Sequence, residues 1–181
     1  MMKKSKRSDV DPFIVMDVME SARIAEEKGK DIIHMEVGQP GTPAPKIAKD
    51  YITNEINKNN LGYTVSLGLP ALRTKISKLY GDWYNLDLNP NRIVVTTGSS
   101  GAFILSFSAL FDSGDRVGIG SPSYPSYRQI LKSLSLETVD IQTKLQNRFQ
   151  PVPEDITNNN LNGILVASPA NPTGSMLDKQ S

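Results

Sequence analysis

Along the first part of the chain, apolar residues recur at helical spacing. Ile14, Val15, Val18, Met19, Ala22 and Ala25 fall on one face of a repeat running over 12–28, and Lys28-Gly29-Lys30 stops it. The same spacing predicts a helix over about 45–57 and another over 69–83, the latter with Leu72, Ile76, Leu79 and Tyr80 inward. Between the first two lies Asp31-Ile32-Ile33-His34-Met35-Glu36-Val37-Gly38, which reads as a short strand ending at a glycine. After Asp87-Leu88-Asn89-Pro90 the rhythm changes. Strands are expected near 92–96, 116–119, 138–141 and 163–167, with helices near 99–111 and 124–134. Strands alternating with helices build a mainly parallel sheet, so the predicted fold class is α/β.

Turn chemistry marks the joints. Gln39-Pro40-Gly41-Thr42-Pro43-Ala44-Pro45 is an extended loop, because its prolines propagate neither a helix nor a central strand. Asn59-Asn60-Leu61-Gly62-Tyr63-Thr64 is a turn-rich linker, and Asn158-Asn159-Asn160 reads as a polar loop at a helix end. The composition breaks near Asp87, with helices and linkers before it and the sheet after it.

A length of 181 residues suits one hydrophobic core with a smaller appendage and is too short for two full-sized domains. Twenty basic against nineteen acidic residues leave a net charge of +1, so no global field favours nucleic acid or an anionic membrane as partner. The absence of cysteine excludes disulfides, thiolate metal ligands and a cysteine nucleophile, and fits a reducing, cytoplasmic setting. The basic start Lys3-Lys4-Ser5-Lys6-Arg7 leads into Ser8-Asp9-Val10-Asp11-Pro12 and not into an apolar stretch, so it reads as a frayed tail. No apolar run is long enough to span a bilayer.

Three strand ends carry candidate chemistry. Val94-Val95-Thr96-Thr97-Gly98-Ser99-Ser100-Gly101-Ala102-Phe103 is a strand, a glycine turn and a helix start, whose free amides, paired hydroxyls and positive dipole end suit a phosphate dianion. The bland alternative makes Ser99 a helix N-cap. In Gly120-Ser121-Pro122-Ser123-Tyr124-Pro125-Ser126-Tyr127 the tyrosines could be ordinary packing, but Tyr124 emerges where it could stack on a planar ligand. Ile164-Leu165-Val166-Ala167-Ser168-Pro169-Ala170-Asn171-Pro172-Thr173-Gly174 is a buried strand and a rigid turn presenting the amide of Asn171, where open α/β sheets place their ligands. His34, the single histidine, is assigned to structure, and no metal set is expected.

In this order the motifs resemble the class I and II aminotransferases, within fold type I of the pyridoxal-phosphate enzymes. The resemblance runs through Val37-Gly38-Gln39-Pro40, Tyr63 with Gly68 and Leu72-Arg73, Thr97 to Ala102, Ser121-Pro122-Ser123-Tyr124, and Asn171-Pro172-Thr173-Gly174, with a general look nearest the aspartate aminotransferases. It implies the cofactor pyridoxal 5'-phosphate, with Ser99, Ser100 and the Gly101 amide cradling its phosphate. Tyr124 would stack on the ring, Asn171 would hydrogen-bond the phenolic oxygen, and Tyr63 would reach the phosphate of a neighbouring subunit in a homodimer. Gly38 would border the substrate carboxylate. The implied division is an N-terminal arm and small-domain segment over 1–45 and a truncated large domain with an incomplete sheet over 46–181.

In the family, the Schiff-base lysine, the aspartate for the ring nitrogen and the arginine for the substrate carboxylate all follow the Asn-Pro-Thr-Gly turn. Only Ser175 to Ser181 remain here, with Asp178 and Lys179 reading as the start of a further helix, so no catalytic residue is assigned. The expectation is therefore an inactive fragment of an enzyme acting on an amino acid and a 2-oxo acid, poorly soluble because apolar surface and a sheet edge lie uncovered. A fold type I lyase or synthase would share these motifs. A non-catalytic short form that binds cofactor or a full-length subunit is the other alternative.

Overall fold

The structure is a computed structural model describing residues 3–178. Its chain forms two compact units, Val15–Thr96 and Met1–Ile14 with Thr97–Ser181. The division differs from both the 45/46 boundary and the composition break near Asp87.

The unit containing Val15–Thr96 carries α1 (Ile14–Glu27), α2 (Lys46–Ile56) and α3 (Pro70–Tyr84). Proline at the first position of α3 suits a helix start, since its missing N–H is one the helix could not satisfy anyway. At the other end Asn85 turns left-handed and caps the helix through its N–H to Gly81 O. Residues 31–38 and 92–96 are not assigned to strands. Ile93 has extended backbone, but neither segment meets a neighbouring strand among the described residues, and a strand exists only through its ladder.

A buried guanidinium holds α3 to the chain that follows it. Arg73 donates through Nε to Pro90 O and Ile93 O, at 3.1 and 2.9 Å, and through one terminal nitrogen to Pro90 O and Asn91 Oδ1. Ser77 Oγ adds a bond to Leu88 O at 2.5 Å. A second tie brings Val95 N–H to Leu67 O, at 3.0 Å, and sets Val95 against Gly68.

The other unit holds α4 (Gly98–Leu110), β1 (Arg116–Ser121), α5 (Ser126–Ser133), β2 (Glu137–Gln142), the short α6 (Pro153–Thr157) and β3 (Gly163–Leu165). The strands form one parallel sheet in the order β2-β1-β3, with Val117 opposite Thr138 and Gly163, and Ile119 opposite Asp140 and Leu165. As the middle strand, β1 is covered on both sides, so Val117 and Ile119 are almost wholly buried. Leu131 and Ile130 of α5, Phe107 of α4 and Leu136 complete the core.

The sheet and its helices follow the predicted α/β alternation, with shifts at the ends. The last strand stops at Leu165, and the helix expected from Tyr124 begins at Ser126. The asparagine run does follow a helix end, with Asn158 capping α6. The basic start forms a 3-10 turn over Lys6–Ser8, and Asp11 pairs with Lys132 of α5. Lys179 lies outside the described residues, and no helix is present over 175–178. α4 is apolar nearly all round, yet Ile104, Leu105 and Leu110 are exposed, as expected of uncovered apolar surface. No described helix is long and apolar enough to cross a membrane.

Gly68 is required twice over. Its φ of +96° is left-handed, and an added Cβ would sit 2.5 Å from Val95 Cγ2. Gly68→Ala is expected to destabilise the Val15–Thr96 unit by about 2–4 kcal/mol, from backbone strain and overpacking together. Chemical denaturation checks this, and an unchanged midpoint would refute the close approach.

Candidate active site

Phosphate-type donors come from the start of α4. Gly98 takes a left-handed φ of 73°, turning the extended chain into the helix. The N-cap is Thr97, whose side chain makes no capping bond, and Ser99 lies inside the first turn, so the N-cap role for Ser99 does not hold. Both Ser99 and Ser100 are exposed, in a turn where the helix has no carbonyls of its own for the amides and where the dipole is positive. Gly101 follows, half-buried.

One turn further along α4, Phe103 meets Tyr127 edge-on, with ring centroids 5.1 Å apart. Tyr127 meets Tyr124 in the same manner at 5.5 Å, and Phe13 packs its ring against Tyr124 at 6.3 Å. Aromatic contacts thus link the helix carrying the serines to the tip of β1. Tyr124 is half-buried while Tyr127 is buried, where desolvation raises its phenol above the ordinary value.

Asn171 is exposed at the turn beyond β3 and lines a groove with Gly120, Ser123 and Tyr127. Residues from the tips of β1 and β3 therefore line one narrow groove of about 20 Å³; Tyr124 adjoins it through Tyr127, and Ser99 and Ser100 are not among the residues that line it. The sequence reading missed Gln150, a buried amide lining the same groove, because nothing in the loop before Pro151-Val152-Pro153 marks it.

Gly38 and Tyr63 belong to the Val15–Thr96 unit. Gly38 is exposed with open space around it, and the Tyr63 side chain is fully exposed in a loop. There too, His34 bridges two carboxylates, with Nδ1 2.6 Å from Glu36 Oε1 and Nε2 2.9 Å from Glu26 Oε1. The bridge joins α1 to the segment before Gly38, which is the structural role assigned to His34.

Residues 30–181 match the family described as aminotransferase class I and II. The chain belongs to that family. It is 42% identical over 173 residues to the valine–pyruvate aminotransferase of Mycobacterium tuberculosis, covering 94% of this chain and 45% of that protein. It is 34% identical over 164 residues to the aspartate aminotransferase of Thermotoga maritima, covering 88% and 43%. A solved structure of a Silicibacter pomeroyi protein is 59% identical, with a TM-score of 0.87, over 99% of this chain and 46% of that one. The chain thus spans a little under half the length of the relatives it matches. These are transaminases, and a lyase or synthase is not favoured.

Class I and II aminotransferases depend on pyridoxal phosphate, and the residues here fit it. Exposed hydroxyls and first-turn amides at α4 suit a dianion, and the aromatic and amide at the strand tips suit a flat polar ring.

The histidine bridge sets a pH dependence in the Val15–Thr96 unit. Hydrogen bonds that the imidazolium donates to Glu36 and then to Glu26 stabilise its charged form, raising the His34 pKa to about 9, and the same contact lowers Glu36. A raised pKa contributes stability fully below about 6.5, and that contribution is lost as pH rises through about 9. The ring protons of His34 are expected to titrate near that upper value by NMR, and Glu36→Gln to move the midpoint down. An ordinary midpoint in the native chain would contradict the bridge.

Proposed function

We propose that this chain is the cofactor-holding part of an amino-acid aminotransferase that moves an amino group between an amino acid and a 2-oxo acid. The observation that carries the reading is that the tips of β1 and β3 adjoin, Asn171 and Ser123 lining one narrow groove beside Tyr124. Pyridoxal phosphate, when bound, supplies the electron sink. The chain's own residues bind and orient. Ser99 and Ser100 donate from their hydroxyls, and with the Gly101 amide and the α4 dipole they hold the phosphate. Tyr124 offers an aromatic face to the ring, and the Asn171 amide donates to the phenolic oxygen, fixing the ring's rotation in its plane.

Gly38 borders the substrate carboxylate in this reading, and residues 1–45 form the arm and small-domain segment beside a large domain over 46–181. Tyr63, exposed to its full extent, reaches the phosphate of a second subunit in a homodimer. A cytoplasmic setting accords with the cysteine-free composition. For substrates, the 42% identity to a valine–pyruvate enzyme makes valine with pyruvate the first pair to assay, with aspartate and 2-oxoglutarate beside it. Assayed on the full-length protein, amino transfer with oxo-acid release supports the reading, whereas ammonia release without transfer opposes it.

The phosphate cradle has its own test. Ser100→Asp places a carboxylate where the dianion binds, so affinity for pyridoxamine 5'-phosphate is expected to fall at least about tenfold while that for unphosphorylated pyridoxamine stays the same. Fluorescence titration measures both, and equal effects on the two ligands would remove Ser100 from the cradle.

A further inference from the structure

We propose that Gln150 is the positioning residue that holds Asn171 in its ring-facing turn. Its side chain is only 5% exposed and lies between two stretches of chain that flank that turn. Nε2 donates to Ala167 O, at 3.2 Å, on the way in, and to Ser175 O, at 2.9 Å, on the way out, with Ser175 Oγ also at 3.2 Å. One carboxamide thus bridges the entry and exit of the Ser168-Pro169-Ala170-Asn171-Pro172-Thr173-Gly174 segment.

Within the segment, Ala170 N–H donates to the same Ser175 carbonyl at 2.8 Å and Gly174 N–H to Ala170 O at 2.7 Å. These bonds close the turn on itself. They do not attach it to the rest of the unit, and Gln150 does. An exposed turn held only by its own bonds could swing as a body about its stems, and a shift of about 1 Å is enough to misdirect a hydrogen bond to a bound ring.

The backbone before Gln150 points the same way. Arg148 and Phe149 both take left-handed φ values, 55° and 54°, which side-chain-bearing residues adopt at a cost. Their turn comes after the 3-10 helix Leu145–Asn147 and is tied by Phe149 N–H to Lys144 O and Gln150 N–H to Asn147 O. It delivers a polar side chain into a buried place where its only described donors meet the Asn171 stems. Gln150 also lines the groove that Asn171 lines, so the brace and the group it holds share one wall.

The inference rests on the proposed role of Asn171 toward the cofactor, and its test keeps the two apart. Pyridoxamine 5'-phosphate is the probe, since it forms no Schiff base with surface lysines, and its fluorescence is titrated against the 181-residue chain and its variants. Gln150→Met keeps the length and removes the donor, and amide exchange of Val117 and Ile119 reports that β1 is intact. Gln150→Glu, which keeps the shape and lacks the N–H groups when ionised, takes its place if Gln150→Met does not fold.

Asn171→Ala is expected to weaken binding about three- to tenfold, Gln150→Met by a similar factor, and the double variant no further than the weaker single one, since both act through one hydrogen bond. Exchange at Ala170 and Gly174 is expected to quicken in Gln150→Met. Binding by Gln150→Met equal to the parent chain, with Asn171→Ala weakened, overturns the inference alone, as does full multiplication of the two losses. Asn171→Ala binding as the parent chain overturns the reading of Asn171 and this inference with it.

Discussion

Parallel pairing of β1 on both its edges is the constraint on which the rest of the sheet unit depends. With β2 on one side and β3 on the other, Val117 and Ile119 lose almost all contact with water, and α4 and α5 are held by the apolar surface that β1 presents. Because the strands run the same way, their C-terminal ends lie along one edge. The residues leaving those ends therefore gather there: Ser123 and Tyr124 after β1, the Asn171 turn after β3. The helix that carries the serines is tied to the tip of β1 through the aromatic run from Phe103 to Tyr127 and Tyr124. Packing and the candidate site thus share Tyr127, which belongs to the core and also lines the groove between the strand tips.

The other unit is organised by polar bonds more than by a core. Among the described residues of Val15–Thr96 only Arg73 is buried, and its guanidinium satisfies carbonyls of the segment leading toward the serine turn. A planar cation with donors in a fixed fork can hold several carbonyls at once, which a lysine could not do. Many of the apolar residues of α1, α2 and α3 remain exposed, so this unit has little burial to hold it and depends the more on the Arg73 bonds, the Gly68–Val95 contact and the histidine bridge.

Much of this was legible in the sequence for identifiable reasons. The helices announced themselves by period, and the strands 116–119 and 138–141 by alternating β-branched residues between turn residues, because both signals are local. Residues 31–38 and 92–96 carried the same local signal without becoming strands, since strand formation depends on a neighbour that composition cannot reveal. Tyr124 and Asn171 stood out as candidates because each follows a strand in a turn of distinctive chemistry, and Ser99 because it follows the glycine that opens α4. Gln150 was not, because its importance comes wholly from bonds to residues 17 and 25 positions away. Tyr127 looked like the lesser of two tyrosines, and only the packing reveals it as the link between α4 and the groove.

The central claim is that separate strand tips act on a single ligand. Amide chemical shifts of the chain recorded during a titration with pyridoxamine 5'-phosphate test it most directly. The account predicts that Ser99, Ser100, Tyr124 and Asn171 respond together and saturate with one dissociation constant. Responses confined to one strand tip, or saturating with different constants at different tips, would contradict it.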